Sequence, residues 1–225
     1  MGLIQHIKQV NNINLALQVS NYYHGDLVSA PIQVSRFIKA HNGVKKDALL
    51  AAIGLCGIPE TSKQLYIISN CYLMLGTQFR TQAIIYLLQY IDAGAVWEGT
   101  PRSDINIDGH IINQLDLNRS STYCELGKAY EGEYQFSNAL YWYQQALKIN
   151  PTSSPAVCYI ADVYVKMNDI DAGLKFLRDV KKSAYKDIKL IAGDKIKELR
   201  EKKSNGYVYK PRPRKRAANC SQPIK

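Results

Sequence analysis

The chain has 225 residues, and its 29 basic and 19 acidic side chains give a formal net charge of +10 at pH 7. The excess lies in the last fifth: residues 181–225 carry 15 basic and 4 acidic side chains, whereas residues 1–180 carry 14 and 15. A protein that coats nucleic acid is expected to be basic over its whole surface. This distribution of charge excludes such a fold. The hydrophobic fraction of 46% is typical of a globular chain with one or two domains.

The sequence carries no recognisable signal for export, membrane insertion or metal binding. Its apolar runs are too short to span a bilayer and no secretory signal is visible, so we predict a cytoplasmic protein without a membrane partner. The five cysteines are widely spaced and odd in number, which favours free thiols. The four histidines are scattered and no CxxC pair occurs, so neither a metal nor another cofactor is expected.

Residues 1–61 are predicted to form one or two degenerate helical pairs that cap the N-terminal end of the fold. One of these helices is expected over residues 44–55, after an Asn-Gly turn. A helix-turn-helix over residues 33–53 is the alternative, with Lys45 and Lys46 against phosphate. Any two amphipathic helices joined by a glycine turn give that pattern, which favours the capping interpretation.

Residues 62–95 are predicted to form a pair of helices. Thr61 or Ser62 is the expected N-cap, because a hydroxyl there accepts a hydrogen bond from the first helical turn. Gly76 is expected in the turn between the two helices. Apolar and small side chains recur at helical spacing on both helices. They are Leu65, Ile68, Ser69 and Tyr72 on the first helix, and Ala83, Leu87 and Tyr90 on the second.

Residues 96–119 form an insertion that is too long for a simple turn between helix pairs. Asp108-Gly109 lies between short isoleucine-rich runs, which is a strong hairpin signal. A two-stranded ribbon is only marginally stable by itself, so a surface loop is an equal alternative. Trp97 is either packed against the helices or exposed as a contact residue.

Residues 120–153 and residues 154–187 align with each other without a gap, which indicates an internal repeat. The aligned pairs include Cys124 with Cys158, Leu126 with Ile160, Gly127 with Ala161, Tyr130 with Tyr164, Ala139 with Gly173, and Tyr143 with Leu177. Small residues at Gly127 and Ala139 predict that two helices approach closely there, and Pro151 ends the second helix. One such pair cannot bury its apolar face alone, so stacked pairs complete the core.

Residues 120–153 resemble the tetratricopeptide repeat (TPR). The matching positions are Tyr123 in place of the usual Trp, Leu126-Gly127, Tyr130, Ala139, Tyr143 and Pro151. Residues 154–187 and 62–95 are weaker copies. The resemblance implies an all-α fold, a TPR-like solenoid of helical hairpins wound as a right-handed superhelix, with residues 120–187 as two tandem repeats.

The resemblance also implies a concave groove that binds a peptide or a partner helix. Residues off the packing face of each first helix would line it. These candidates are Lys63, Tyr66, Asn70, Leu73, Met74, Ser121, Cys124, Lys128, Glu131, Cys158, Asp162, Val165 and Lys166. The set is mixed in character and lacks the cluster of Lys, Asn and Arg with which some members hold a terminal carboxylate.

The C-terminal end is predicted to contain a polar-backed capping helix over residues 188–205, followed by a basic, disordered tail over residues 206–225. Five basic side chains of the tail are candidates for binding nucleic acid or another acidic surface. They are Lys210, Arg212, Arg214, Lys215 and Arg216. A charged terminus that serves only for solvation is an equal alternative.

No phosphate-binding glycine loop, zinc-protease motif or nucleophile elbow occurs in the sequence. We therefore expect no enzyme, but a scaffold that binds a protein or peptide in the groove. A regulatory or nucleic-acid-associated protein that uses the basic C-terminal helix and tail is the alternative. A homo-oligomer is compatible with either interpretation, because short arrays can associate through an exposed end.

Overall fold

The computed structural model describes residues 49–50, 53–54, 57–95, 104–107, 110–183 and 185–211. The chain divides into an N-terminal unit, residues 1–153, and a C-terminal unit, residues 154–225. Of the helix expected over residues 44–55, the described residues 49–50 and 53–54 are helical. Several predictions lie outside the described residues. They are the helix-turn-helix alternative as far as residue 48, the position of Trp97 and four tail candidates. Those four are Arg212, Arg214, Lys215 and Arg216.

Both units are built from consecutive helices that pack as pairs. The elements of the N-terminal unit are α1 (Ser62–Leu75), a 3-10 turn (Thr77–Phe79), α2 (Arg80–Asp92), β1 (Asp104–Ile107), β2 (His110–Asn113), α3 (Gln114–Gly132) and α4 (Phe136–Ile149). Those of the C-terminal unit are α5 (Ser154–Lys166), α6 (Ile170–Val180) and α7 (Lys186–Ser204). α1 packs on α2, α3 on α4, and α5 on α6, which confirms the predicted TPR-like, all-α fold. The superhelical winding stays a prediction.

The first helix pair begins and turns at the residues that the sequence indicates. Thr61 is the N-cap: its hydroxyl accepts from the Gln64 N–H at 3.3 Å, and the Gln64 side chain accepts from the Thr61 N–H at 3.1 Å. This reciprocal capping box satisfies two amides that the helix leaves unpaired. Gly76 ends α1 with φ 94°, a conformation that side chains with a Cβ rarely adopt. Ala83 and Leu87 of α2 are fully buried.

The insertion forms a hairpin over residues 104–113 and not a plain loop. Ile105 pairs with Ile112, and Asp104 pairs with Asn113, in an antiparallel register. Asn113 then caps the next helix, since its side-chain oxygen accepts from the Leu115 N–H at 2.8 Å. α3 consequently begins at Gln114, ahead of the start expected from the repeat.

The α3–α4 pair packs as the repeat predicts. A Cβ at Gly127 would lie 2.5 Å from the ring of Tyr143, so only glycine lets this ring lie against the α3 backbone. Tyr143 is fully buried, and its hydroxyl donates to Glu131 at 2.9 Å. The Ser120 hydroxyl donates to the Ala146 carbonyl at 3.0 Å, which adds a second bond between the two helices. α4 ends at Ile149, before Pro151, as expected.

In the C-terminal unit, α7 packs against both α5 and α6. Ile188, Ala192 and Leu199 of α7 are buried, which confirms the predicted capping helix. A Cβ at Gly173 of α6 would lie 2.9 Å from a methyl carbon of Leu199, so this glycine allows the close approach of α7.

The chain after α7 is irregular, but hydrogen bonds hold it in place up to Tyr209. Gly206, with φ 62°, reverses the chain, and the Tyr207 N–H donates back to the Lys202 carbonyl at 3.0 Å. The Tyr209 N–H donates to the Asn168 side-chain oxygen at 2.6 Å, and the Asn168 amide donates to the Tyr209 carbonyl at 3.4 Å. These bonds fix the start of the segment that the sequence predicts to be disordered.

Candidate interaction surfaces

The groove candidates of α1 are all partly buried, and they differ in what they contact. The Tyr66 ring lies 5.2 Å from the ring of Tyr90 in α2, and Leu73 packs against the buried cluster between α2 and α3. The Asn70 amide donates to the carbonyl of Tyr66 in its own helix at 2.8 Å. Tyr66 and Leu73 therefore hold the helices together, and the remaining candidates of α1 are the partly buried Lys63 and Met74.

The candidates of α3 separate into an exposed pair and a structural pair. Ser121 and Lys128 are exposed. Cys124 is buried, and this desolvation raises the pKa of its thiol to about 11, although Lys128 and Ser153 lower it in part. A thiol with a raised pKa is a poor nucleophile at neutral pH. Glu131 accepts the hydroxyl of Tyr143, so its side chain belongs to the packing of the pair.

The candidates of α5 are largely engaged by the C-terminal unit itself. Val165 is buried, so its predicted place on a free groove surface is wrong. Asp162 is bound by Lys195 of α7 at 2.9 Å, and Lys195 also contacts Glu198 at 2.9 Å. The sequence analysis predicted α7 as a helix that caps the end of the helix pairs. It did not predict that α7 also packs against α5. Lys166 and Cys158 are partly buried.

The Lys195 cluster is electrostatically satisfied. Burial lowers the pKa of Lys195, but its hydrogen bonds to Asp162 and Glu198 outweigh this and raise the pKa above its ordinary value. Glu198 contacts Lys202 as well, and the hydrogen bond from Lys202 is the main reason that the pKa of Glu198 is lowered. Lys195 and Glu198 thus stay charged near neutral pH.

Glu125 of α3 is a notable group that sequence reasoning missed. Its Oε2 atom is buried and has no hydrogen-bond partner within the described part of the chain. Burial raises the pKa of this carboxyl to about 7, although Lys128 lowers it in part. Glu125 also contributes, after burial itself, to a raised pKa of Tyr90 in α2. The only signal for this buried carboxyl group in the sequence was the place of an acidic residue directly before Leu126, which is buried.

A second overlooked feature is an aromatic row on α3 and α4. The Trp142 ring lies 5.3 Å from the ring of Tyr123 and 5.1 Å from that of Tyr141. Tyr141 is exposed, whereas the neighbouring Tyr143 is fully buried. Three consecutive aromatic residues in one helix could have indicated this row, because they cannot all face the same core.

The described residues hold no recognisable metal site or membrane span. No group of three or more His, Cys, Asp and Glu side chains among them could hold a metal ion. None of the described helices combines the length and the apolar character that a bilayer crossing requires. The described cysteines Cys71, Cys124 and Cys158 are free thiols, as predicted. Of the tail candidates, Lys210 is described and exposed.

Comparison with known proteins adds a likeness in fold. No protein-family model matches the sequence, and no curated protein matches it. A solved structure entitled "Crystal structure of MamA" is similar, with a TM-score of 0.45 and 16% sequence identity over 77% of this chain and 78% of that chain. At this identity and TM-score the likeness carries no argument for function. The TPR-like fold is therefore established by the helix pairs themselves and by the packing of Gly127 and Tyr143.

Proposed function

We propose that the chain is a non-catalytic scaffold that binds a protein segment on the open face of its first repeat helices. One observation carries this proposal. The contact between Gly127 and Tyr143 fixes one side of α3 in the core, while Ser121 and Lys128 stay exposed on another side. About two turns separate these two residues, so they lie on one side of the helix, with the buried Cys124 and the partly buried Glu125 between them.

The side chains of this face suggest the chemistry of the partner. Lys128 on α3 and Lys63 on α1 supply positive charge, while Met74 on α1 supplies a polarisable apolar group. A segment with alternating acidic and apolar side chains fits this set. Sites on helices hold their contacts in register more precisely than sites on loops, which is what a scaffold requires.

The experiment compares two charge reversals in the full chain. Lys128→Glu alters the proposed face, and Lys148→Glu makes the same change at an exposed position of α4. Each protein is immobilised and exposed to native lysate, and the retained proteins are identified by mass spectrometry. We expect a partner that the unmodified chain and Lys148→Glu retain and that Lys128→Glu loses. Loss with both variants, or with neither, would contradict the proposed face.

A further inference from the structure

Four of the seven basic side chains of α7 share one side of the helix. Its core side is set by the buried Ile188, Ala192 and Leu199. One flank carries exposed basic side chains at intervals that keep them in one row, here called the basic stripe. The stripe consists of Lys186, Lys189, Lys197 and Arg200.

The acidic side chains of α7 occupy the other flank. They are Asp187, Asp194, Glu198 and Glu201. Lys195 and Lys202 contact Glu198 and so neutralise part of that flank. Within the stripe, Lys197 contacts Asp194 at 3.3 Å, but both side chains are highly exposed and such a pair is weak. The stripe therefore keeps most of its positive charge.

Gly193 lies in the middle of the stripe. No atom lies within 4 Å of the place where its Cβ would be, so nothing in the fold requires a glycine there. Glycine is a poor helix former, but its missing side chain lets an extended ligand approach the helix backbone. From Lys186 to Arg200 the stripe spans about 21 Å at the usual rise of a helix.

The chain after α7 turns back onto the end of that helix. Tyr207 folds back on the last turn of α7, and the two bonds between Tyr209 and Asn168 fix the backbone just before Lys210. Lys210 is exposed and begins the most basic part of the sequence. The basic segment therefore starts near the C-terminal end of α7, where Arg200 closes the stripe.

We propose that the basic stripe, together with the exposed Lys210, binds the phosphate backbone of a nucleic acid. A nucleic-acid strand presents a phosphate about every 3.4 Å along its axis, so several phosphates fall within the length of the stripe. A membrane surface fits less well, because a helix that binds there inserts its apolar face. The apolar face of α7 is buried against α5 and α6, and Leu190, which is 66% exposed beside the stripe, is the one large apolar side chain that α7 leaves exposed.

The test measures binding of a fluorescent, random-sequence DNA duplex to the full chain by anisotropy over a range of salt concentrations. Arg200→Gln removes one stripe charge, and Lys148→Gln removes one charge from an exposed position of α4. We expect Arg200→Gln to weaken binding and to reduce the slope of log K against log salt by about one. The double variant Lys189→Gln with Arg200→Gln should reduce it by about two, and Lys148→Gln should leave it unchanged.

Two results would overturn this proposal. Equal effects of Arg200→Gln and Lys148→Gln would show that only net charge matters. The second result is a chain that does not bind the duplex but binds phosphatidylserine vesicles. If the double variant then loses the vesicle binding, the stripe belongs to a membrane-binding surface instead. Circular dichroism of each variant ensures that lost binding is not lost folding. The outcome is independent of the protein-binding face, because Ser121 and Lys128 belong to the other unit.

Discussion

The two units share the same kind of helix pair but differ in charge. Residues 1–153 contain 11 basic and 11 acidic side chains, whereas residues 154–225 contain 18 and 8. The whole net charge of the chain therefore belongs to the C-terminal unit. A neutral repeat suits a mixed protein partner, while a basic one suits a polyanion, so two kinds of binding can reside on one type of scaffold.

The units also differ in whether a carboxylate at a contact between helices has a charged partner. In the C-terminal unit, Asp162 and Glu198 are each paired with a lysine of α7. In the N-terminal unit, Glu125 keeps a buried oxygen for which the described residues offer no donor. A buried charge without a partner is destabilising, whereas a paired one is close to neutral. Three sets of substitutions test this contrast and the packing that underlies it.

The largest expected effect is that of Glu125→Gln on the pH dependence of stability. The pKa of Glu125 is 4.5 as an ordinary value and about 7 in the folded chain, so the folded state holds its proton more tightly. The free energy of unfolding then falls as pH rises from 4.5 to 7, by about 3 kcal/mol for a shift of this size. Glutamine cannot ionise, so the variant should lack this fall.

Urea unfolding at several pH values measures the effect of Glu125→Gln. Near pH 4 the variant and the unmodified chain should be equally stable, and near pH 8 the variant should be more stable. The difference between the two curves isolates this one group from the other titrating side chains. A variant that is less stable at pH 8 would mean that the carboxylate has a favourable partner.

A smaller effect is expected for a pair of glycine substitutions. In Gly127→Ala the new methyl group would overlap the Tyr143 ring, which should cost about 1–3 kcal/mol of stability. Gly193→Ala is the matched control, because its methyl group meets no atom and alanine favours the helix by about 0.5–1 kcal/mol. The midpoint temperature of thermal unfolding should therefore fall in Gly127→Ala and rise in Gly193→Ala. A shift in the same direction would contradict the close packing of α3 and α4.

Local signals in the sequence were sufficient for the helix pairs. The Thr61 cap, the turn at Gly76 and the small residue at Gly127 each depend on neighbours a few residues away or on the repeat itself. Such signals act through backbone geometry and hydrogen bonds within one or two turns, so a pattern in the sequence predicts them directly.

The features that escaped prediction depend on contacts between distant segments. α3 starts early because the hairpin brings Asn113 to its N-terminus. Asp162 faces Lys195 because α7 packs on α5, and the Oε2 atom of Glu125 is buried on a helix that packs against α2. Spacing along one helix tells which residues share a side, but not which neighbour covers that side. The groove assignment is therefore wrong for the buried Cys124 and Val165, and it stays a prediction for the exposed Ser121 and Lys128.

The smallest expected effect concerns the paired carboxylates of the C-terminal unit. Lys195 is 19% exposed and contacts both Asp162 and Glu198, whereas Lys197 is 81% exposed and contacts only Asp194 among the described residues. Lys195→Met should lower the free energy of unfolding by about 1 kcal/mol, because Asp162 loses this cation and Glu198 keeps only Lys202. Lys197→Met should change it by less than about 0.5 kcal/mol, as is usual at exposed positions.

Salt separates an electrostatic loss from a packing loss in Lys195→Met. Added salt screens the two carboxylates that remain, so the deficit of the variant should shrink as ionic strength rises. A deficit that persists in high salt would show that the aliphatic part of Lys195, and not its charge, supports the contact between α5 and α7. Equal effects of the two methionine variants would remove the contrast between the paired carboxylates here and the unpaired Glu125.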